Sequence, residues 1–175
     1  MSDISQKETL ISVVLPVYNE EEGLPQTIAT LKEFIAHQPE SYELIFVDDG
    51  SKDASAEILH QVIEQNQDFK MIQFSRNFGH QIAISAGIRY AKGDAVVVMD
   101  ADLQDPPEVI PAMIKKWREG YEVVYGERLS REGESEFKKA TAHAFYQILK
   151  RISSIDIPVD TGDFRLMSKP VVNVL

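Results

Sequence analysis

Along the chain, short unbroken apolar runs alternate with stretches in which apolar residues recur every three or four positions. Leu10–Pro16 (LISVVLP) is a β-branched run closed by a proline, and it predicts a buried strand. From about Glu22 the period changes. Leu24, Ile28, Leu31 and Ile35 share one face of a helix, and Pro25 falls in its first turn, where no backbone N–H is required. Tyr42–Val47 (YELIFV) predicts a second strand, after which Ser51 or Asp53 can cap a helix with Ile58, Leu59, Val62 and Ile63 inward. A third strand is expected over Lys70–Ser75 and a small-residue helix across Gly79–Ala91. Ala95–Met99 is continuously apolar, as a strand covered on both faces should be. Pro107–Glu119 predicts a helix that buries Ile110, Met113, Ile114 and Trp117 and stops at Gly120, and Glu122–Tyr125 a fifth strand.

Repeated strand–helix alternation predicts an α/β sandwich with a mostly parallel sheet, whose ligands lie beyond the carboxyl ends of the strands. Those ends are chemically distinctive. Pro16-Val17-Tyr18-Asn19-Glu20 follows the first strand, Asp48-Asp49-Gly50-Ser51 the second, Asp100-Ala101-Asp102-Leu103-Gln104-Asp105 the fourth, and Gly126-Glu127-Arg128 the fifth. Acids thus converge on one edge from separate strands. Like charges gathered there repel, and a divalent cation is the simplest remedy. Two carboxylates one residue apart suit Mg²⁺, which keeps several waters and takes its remaining ligands from substrate phosphates. Each piece alone has an ordinary reading: Asp-x-Asp is common in loops, Asp48–Ser51 could be a turn with a helix cap, Tyr18 could simply pack, and Arg128 could be a solvated charge. Their joint placement is what carries weight.

Composition narrows the field. The 175 residues suffice for one well-buried domain, expected over 10–175 behind a flexible 1–9 segment. A net charge of −10 argues against nucleic acid as a partner, since phosphate backbones select clustered Lys and Arg. The absence of cysteine excludes disulfides, thiolate metal sites and cysteine nucleophiles. Met1–Thr9 is polar and no signal peptide, and no window approaches the ~18 apolar residues of a membrane span. Neither G-x-G-x-x-G after the first strand nor G-x-x-x-x-G-K-[ST] occurs. Gln104 stands where a haloacid-dehalogenase phosphatase would have Thr or Val. A phospho-receiver-like regulatory domain, with Asp48 and Asp49 beside Asp100 as phosphoacceptor, is the non-enzyme alternative, although the fifth strand ends in Gly126-Glu127-Arg128 where such a domain would want a Lys.

Six stretches occur in a telling order: Pro16–Glu20, Asp48–Ser51, Arg76-Asn77-Phe78-Gly79, Asp100–Glu108 (DADLQDPPE), Gly126–Arg128 and Thr161–Met167 (TGDFRLM). As an ordered set, covering nearly the whole chain from Ile11, they resemble family-two inverting glycosyltransferases. Within these they resemble the polyprenyl-phosphate branch of dolichyl-phosphate mannose synthases and bactoprenol glucosyltransferases. The resemblance implies a GT-A fold, a Rossmann-like three-layer sandwich, and a sugar moved from a nucleoside diphosphate to a membrane polyprenyl phosphate, UDP being preferred to GDP. It implies that Pro16, Tyr18, Glu20, Asp49, Asp100, Ala101 and Gln104 bind the nucleotide sugar, Tyr18 near the base. Asp102 would ligate Mg²⁺ or Mn²⁺ directly, Asp100 through water or the ribose, with Gln104 assisting. Arg128 would sit near the diphosphate and Arg165 near the acceptor phosphate, with Asp163 as base or orienting group. An acceptor using a glycan or soluble hydroxyl is the alternative.

Phe137–Ile152 (FKKATAHAFYQILKRI) has no Asp or Glu in an otherwise acidic chain. Phe137, Thr141, Ala144, Ile148 and Ile152 form an apolar stripe, with Lys138, Lys139, Lys150 and Arg151 mainly off it. That is the composition of a helix at a lipid interface or of one packed on its own sheet, and the resemblance favours the membrane surface. Members of the branch continue into membrane spans, whereas this chain stops at Leu175. The expectation is therefore a soluble piece of a longer protein that works at the cytoplasmic face of a membrane.

Overall fold

A computed structural model describes residues 9–127 and 161–175. Six strands form one sheet: β1 (Leu10–Val17), β2 (Ser41–Asp48), β3 (Phe69–Gln73), β4 (Ala95–Val98), β5 (Val123–Glu127) and β6 (Thr161–Ser168). The helices are α1 (Leu24–Ala36), α2 (Ser55–Glu64), α3 (His80–Tyr90), α4 (Ile110–Arg118), which follows a 3₁₀ turn at Pro107–Val109, and α5 (Lys169–Val172). Boundaries differ from the sequence reading by at most three residues, since propensity marks element ends less sharply than element type, and Leu10 and Ala95 begin their strands as expected.

The strand order is β3-β2-β1-β4-β6-β5. β1 pairs in parallel with β2 and β4, and β2 with β3. β6 was read as a motif rather than a strand. It enters antiparallel between β4 and β5, with Val98 opposite Arg165 and Ala95 opposite Ser168. That direction matters for the site. The first residues of β6 lie beyond the carboxyl end of β4, so Asp163 arrives at the same edge as Asp100.

Both faces of the sheet are covered, which explains why β1, β2 and β4 read as unbroken apolar runs. On one face Leu15, Phe46, Val97 and Leu166 pack with Leu24, Leu31, Leu59, Ile110 and Ile114 from α1, α2 and α4. On the other, Val14, Ile45, Val47, Val96 and Val98 pack with Ile84 and Ile88 of α3 and Val172 of α5. The three layers of the expected α/β sandwich are present. Arg128 and the Phe137–Ile152 stretch lie outside the described residues.

Candidate active site

The exit of β1 is stitched to the loop between β2 and α2. Asn19 adopts a left-handed conformation (φ 54°), which Asn tolerates better than most residues. Its N–H donates to Ser51 Oγ at 3.0 Å and its Oδ1 accepts from Lys52 N–H at 2.8 Å. Glu20 N–H donates to Ser55 Oγ (2.8 Å) and Glu21 N–H to Asp53 Oδ2 (3.0 Å), while Glu21 Oε2 accepts from Ala54 N–H (2.8 Å). Ser51 and Asp53 therefore are not N-caps of α2, whose N-cap is Ala54 with no side-chain cap bond. Asp53 turns one oxygen to the Ser55 N–H and the other to the Glu21 N–H in the loop after β1. Gly50 (φ 71°) lies so close to the Arg76 backbone that a Cβ would stand 2.4 Å from its carbonyl carbon.

Asp49 is buried, and both of its oxygens are engaged. One accepts from Phe78 N–H at 2.7 Å and the other from Gly79 N–H at 2.9 Å. Its carboxylate walls the cleft and fixes the loop that opens α3. On the fourth-strand exit, Thr27 Oγ1 of α1 donates to the Ala101 carbonyl at 2.5 Å, and Gln104 N–H donates to Asp102 Oδ1 at 3.0 Å. Leu103 has φ 57°, a costly conformation for a bulky side chain, in the turn that presents Asp102.

These loops enclose a cleft of about 470 Å³ lined by Pro16, Tyr18, Glu20, Asp49, Asp100, Ala101 and Asp102, with Asn77, Gly79, His80 and Ala83 on the α3 side. Seven of the expected residues thus meet in one place. Gln104 does not line it; the bond from its backbone N–H to Asp102 is the contribution seen here. A second recess shares Tyr18 and Asn77 with the cleft and is lined by Gly50, Ser51, Lys52, Phe74 and Arg76.

The electrostatics of the cleft match its acid content. Burial raises the Asp100 carboxyl above its ordinary value; His80 opposes the rise, while Asp102, Asp105 and Asp163 add to it. Burial also raises Glu20, followed by repulsion from Asp102, Asp53 and Asp100. Among the described residues no group of three or more His, Cys, Asp or Glu is placed so that it could hold a metal ion. Two carboxylates at a mutually repelling acid cleft are nevertheless a fit for Mg²⁺ or Mn²⁺, because such ions draw further ligands from water and substrate phosphate. Asp102 and Asp100 are the residues that would hold one.

Neither Asp163 nor Arg165 lines the cleft: Asp163 on β6 reaches it through His80, and Arg165 lines a separate recess with Gln81 and Arg89. His80 Nε2 lies 2.9 Å from Asp163 Oδ2 and 3.6 Å from Asp100 Oδ1. Gln81 Nε2 donates to both Asp163 oxygens at 3.3 Å, and Arg165 Nη1 is 3.5 Å from Oδ1. His80 and Gln81 escaped the sequence reading. Their only signal was position, directly after Arg76-Asn77-Phe78-Gly79 at the start of a helix.

The family description "Glycosyl transferase family 2" matches residues 12–175. "Uncharacterized glycosyltransferase YkcC" of Bacillus subtilis is 59% identical over 162 residues, 91% of this chain and 50% of that protein. "Bactoprenol glucosyl transferase" of Shigella phage SfV is 43% identical over 162 residues, 93% of this chain and 53% of that protein. The chain thus spans about half the length of the curated relatives it matches. Among solved structures, the mannosyltransferase PcManGT of Pyrobaculum calidifontis, in complex with GDP-Man and Mn²⁺, matches with TM-score 0.67 at 20% identity, over 97% of this chain and 47% of that one. Glucosyl-3-phosphoglycerate synthase of Mycobacterium tuberculosis, bound to UDP, matches with TM-score 0.63 at 19% identity, over 93% of this chain and 58% of that one. The fold is that of the GT-A glycosyltransferases. No helix among the described residues is long and apolar enough to cross a membrane.

Proposed function

Because the chain belongs to glycosyl transferase family 2, we propose that it moves a hexose from a nucleoside diphosphate, UDP in preference to GDP, onto a membrane polyprenyl phosphate with inversion. The observation that carries this reading is the meeting of Glu20, Asp100 and Asp102 in one cleft, with Asp163 tied to its edge by His80 and Arg165 beside it on β6. Support for the lipid acceptor comes from the 43% identity to a bactoprenol glucosyl transferase.

Tyr18, exposed at the junction of the two recesses, packs against the base, and Pro16 shapes the floor beneath it. Asp49 and Glu20 line the nucleoside side, Asp49 chiefly by fixing the loop above it. Asp102 and Asp100 would hold a divalent cation, which would supply Lewis-acid stabilisation of the departing diphosphate. Gln104 steadies Asp102 through its backbone N–H, and Arg128, outside the described residues, is assigned to the diphosphate. Arg165 orients the acceptor phosphate. That phosphate has a second pKa of ~6 and is largely ionised near neutrality, so Asp163 acts by orientation more than by removing a proton. The Phe137–Ile152 stretch meets the membrane at its cytoplasmic face.

A thermal-shift panel of UDP, GDP and their sugars, each with and without Mg²⁺ or Mn²⁺, tests the donor half. Stabilisation by a uridine nucleotide only when metal is present is the expected result, ~2.7 kcal/mol at a hundredfold excess over Kd. No shift with any nucleotide and metal together would remove the reading.

A further inference from the structure

We infer that His80, with Gln81, is a positioning residue that holds Asp163 at a fixed distance from Asp100 and so sets the acceptor side of the cleft against the donor side. This rests on the sugar-transfer reading above.

The two carboxylates come from neighbouring strands that run in opposite directions, β4 and β6. Asp100 follows β4 beside the Asp102 metal position, whereas Asp163 lies near the start of β6, its carboxylate 3.5 Å from Arg165 Nη1. Left alone they would repel. His80 Nε2 stands between them, 2.9 Å from one and 3.6 Å from the other. Both neighbours are hydrogen-bond acceptors, so Nε2 is the ring nitrogen assigned the proton. Gln81 Nε2 completes the grip on Asp163. The clamp has a firm base, because Asp49, buried beneath, bonds the N–H of Gly79 immediately before His80.

Exposure argues that the clamp serves the reaction rather than folding. The side chains of His80, Asp100 and Asp163 are 45%, 35% and 28% exposed, and ion pairs so open to water add little stability. Geometry, by contrast, is critical to displacement at an anomeric carbon. The attacking oxygen must stand about 3–3.5 Å away and in line, and a 1 Å misplacement can cost about a hundredfold in rate.

The test compares His80→Phe, which keeps bulk and loses the donor, with His80→Gln, which keeps a donor. Both are assayed for transfer from UDP-glucose with Mg²⁺ to a polyprenyl phosphate in micelles, alongside UDP affinity. H80F should lower kcat about ten- to a hundredfold and leave UDP affinity within about twofold, and H80Q should recover most of the loss. Because His80 acts through Asp163, adding H80F to Asp163→Asn should cost almost nothing further. Wild-type kcat in H80F, no recovery in H80Q, or losses that multiply in the double variant would each overturn the assignment. Nucleotide binding without any transfer by the unsubstituted protein would remove it together with the proposed function.

Discussion

At the residue scale, Asp49 and Tyr18 line the same cleft and do different things. Asp49 spends both oxygens on backbone amides, whereas Tyr18 stands 40% exposed at the mouth. Asp49→Asn leaves one oxygen for two N–H groups and removes the charge, which costs about 1.5–3 kcal/mol for one lost bond to a charged acceptor. Its urea midpoint should fall accordingly. Tyr18→Ala should leave that midpoint alone and weaken UDP binding about tenfold, the loss of one stacking face worth roughly 1–3 kcal/mol. The reverse pattern would show that Asp49 reads the nucleotide and Tyr18 holds the fold. The acids at the strand ends were legible in the sequence because their order follows the strands. The clamp at His80 was not, because it exists only through Asp163, 83 residues away.

At the scale of elements, the five parallel strands were legible from apolar runs and their turns. β6 was missed although Asp163-Phe164-Arg165-Leu166 alternates polar and apolar, with Phe164 and Leu166 buried, which is the period of a half-covered strand. Nothing local encodes its antiparallel entry between β4 and β5; pairing partners far along the chain decide that. α3 offers a second case of packing overriding local preference. Gly87 would gain about 1 kcal/mol of helix propensity as Ala. Yet a Cβ there would stand 2.3 Å from Val14 Cγ1 and 3.1 Å from Val47 Cγ2, both in the core beneath the helix. Valine side chains are stiff and cannot swing aside, so overpacking of about 1–3 kcal/mol should win. Gly87→Ala is therefore expected to lower the urea midpoint, and because α3 carries His80, to lower transfer as well. An unchanged or raised midpoint would mean that the helix can lift off β1 without cost.

At the scale of the whole molecule, the proposed function sets an anionic diphosphate against an acidic protein of net charge −10, and the carboxylates gathered at its cleft repel one another. Burial and neighbouring acids raise Asp100 above its ordinary value of 3.8. A carboxyl raised on folding binds more protons in the native than in the unfolded chain across the interval between the two values. Its contribution to stability is therefore full below 3.8 and is lost as pH climbs through the raised native value. Glu20, raised from 4.5, works in the same direction, whereas Glu43, lowered by Lys70 and Ser12 against the cost of its burial, works in the opposite one at lower pH. Subtracting a variant isolates the effect. Measured in EDTA, Asp100→Asn should be more stable than the parent at pH 7, and the gap should close as pH falls below 3.8. Adding Mg²⁺ with UDP at pH 7 should reverse the order, because the ion replaces repulsion with coordination in the parent and finds one ligand fewer in the variant. If the parent were the more stable in EDTA at every pH, the acids would be supporting the fold, and a cation would no longer be needed to explain why they are gathered there.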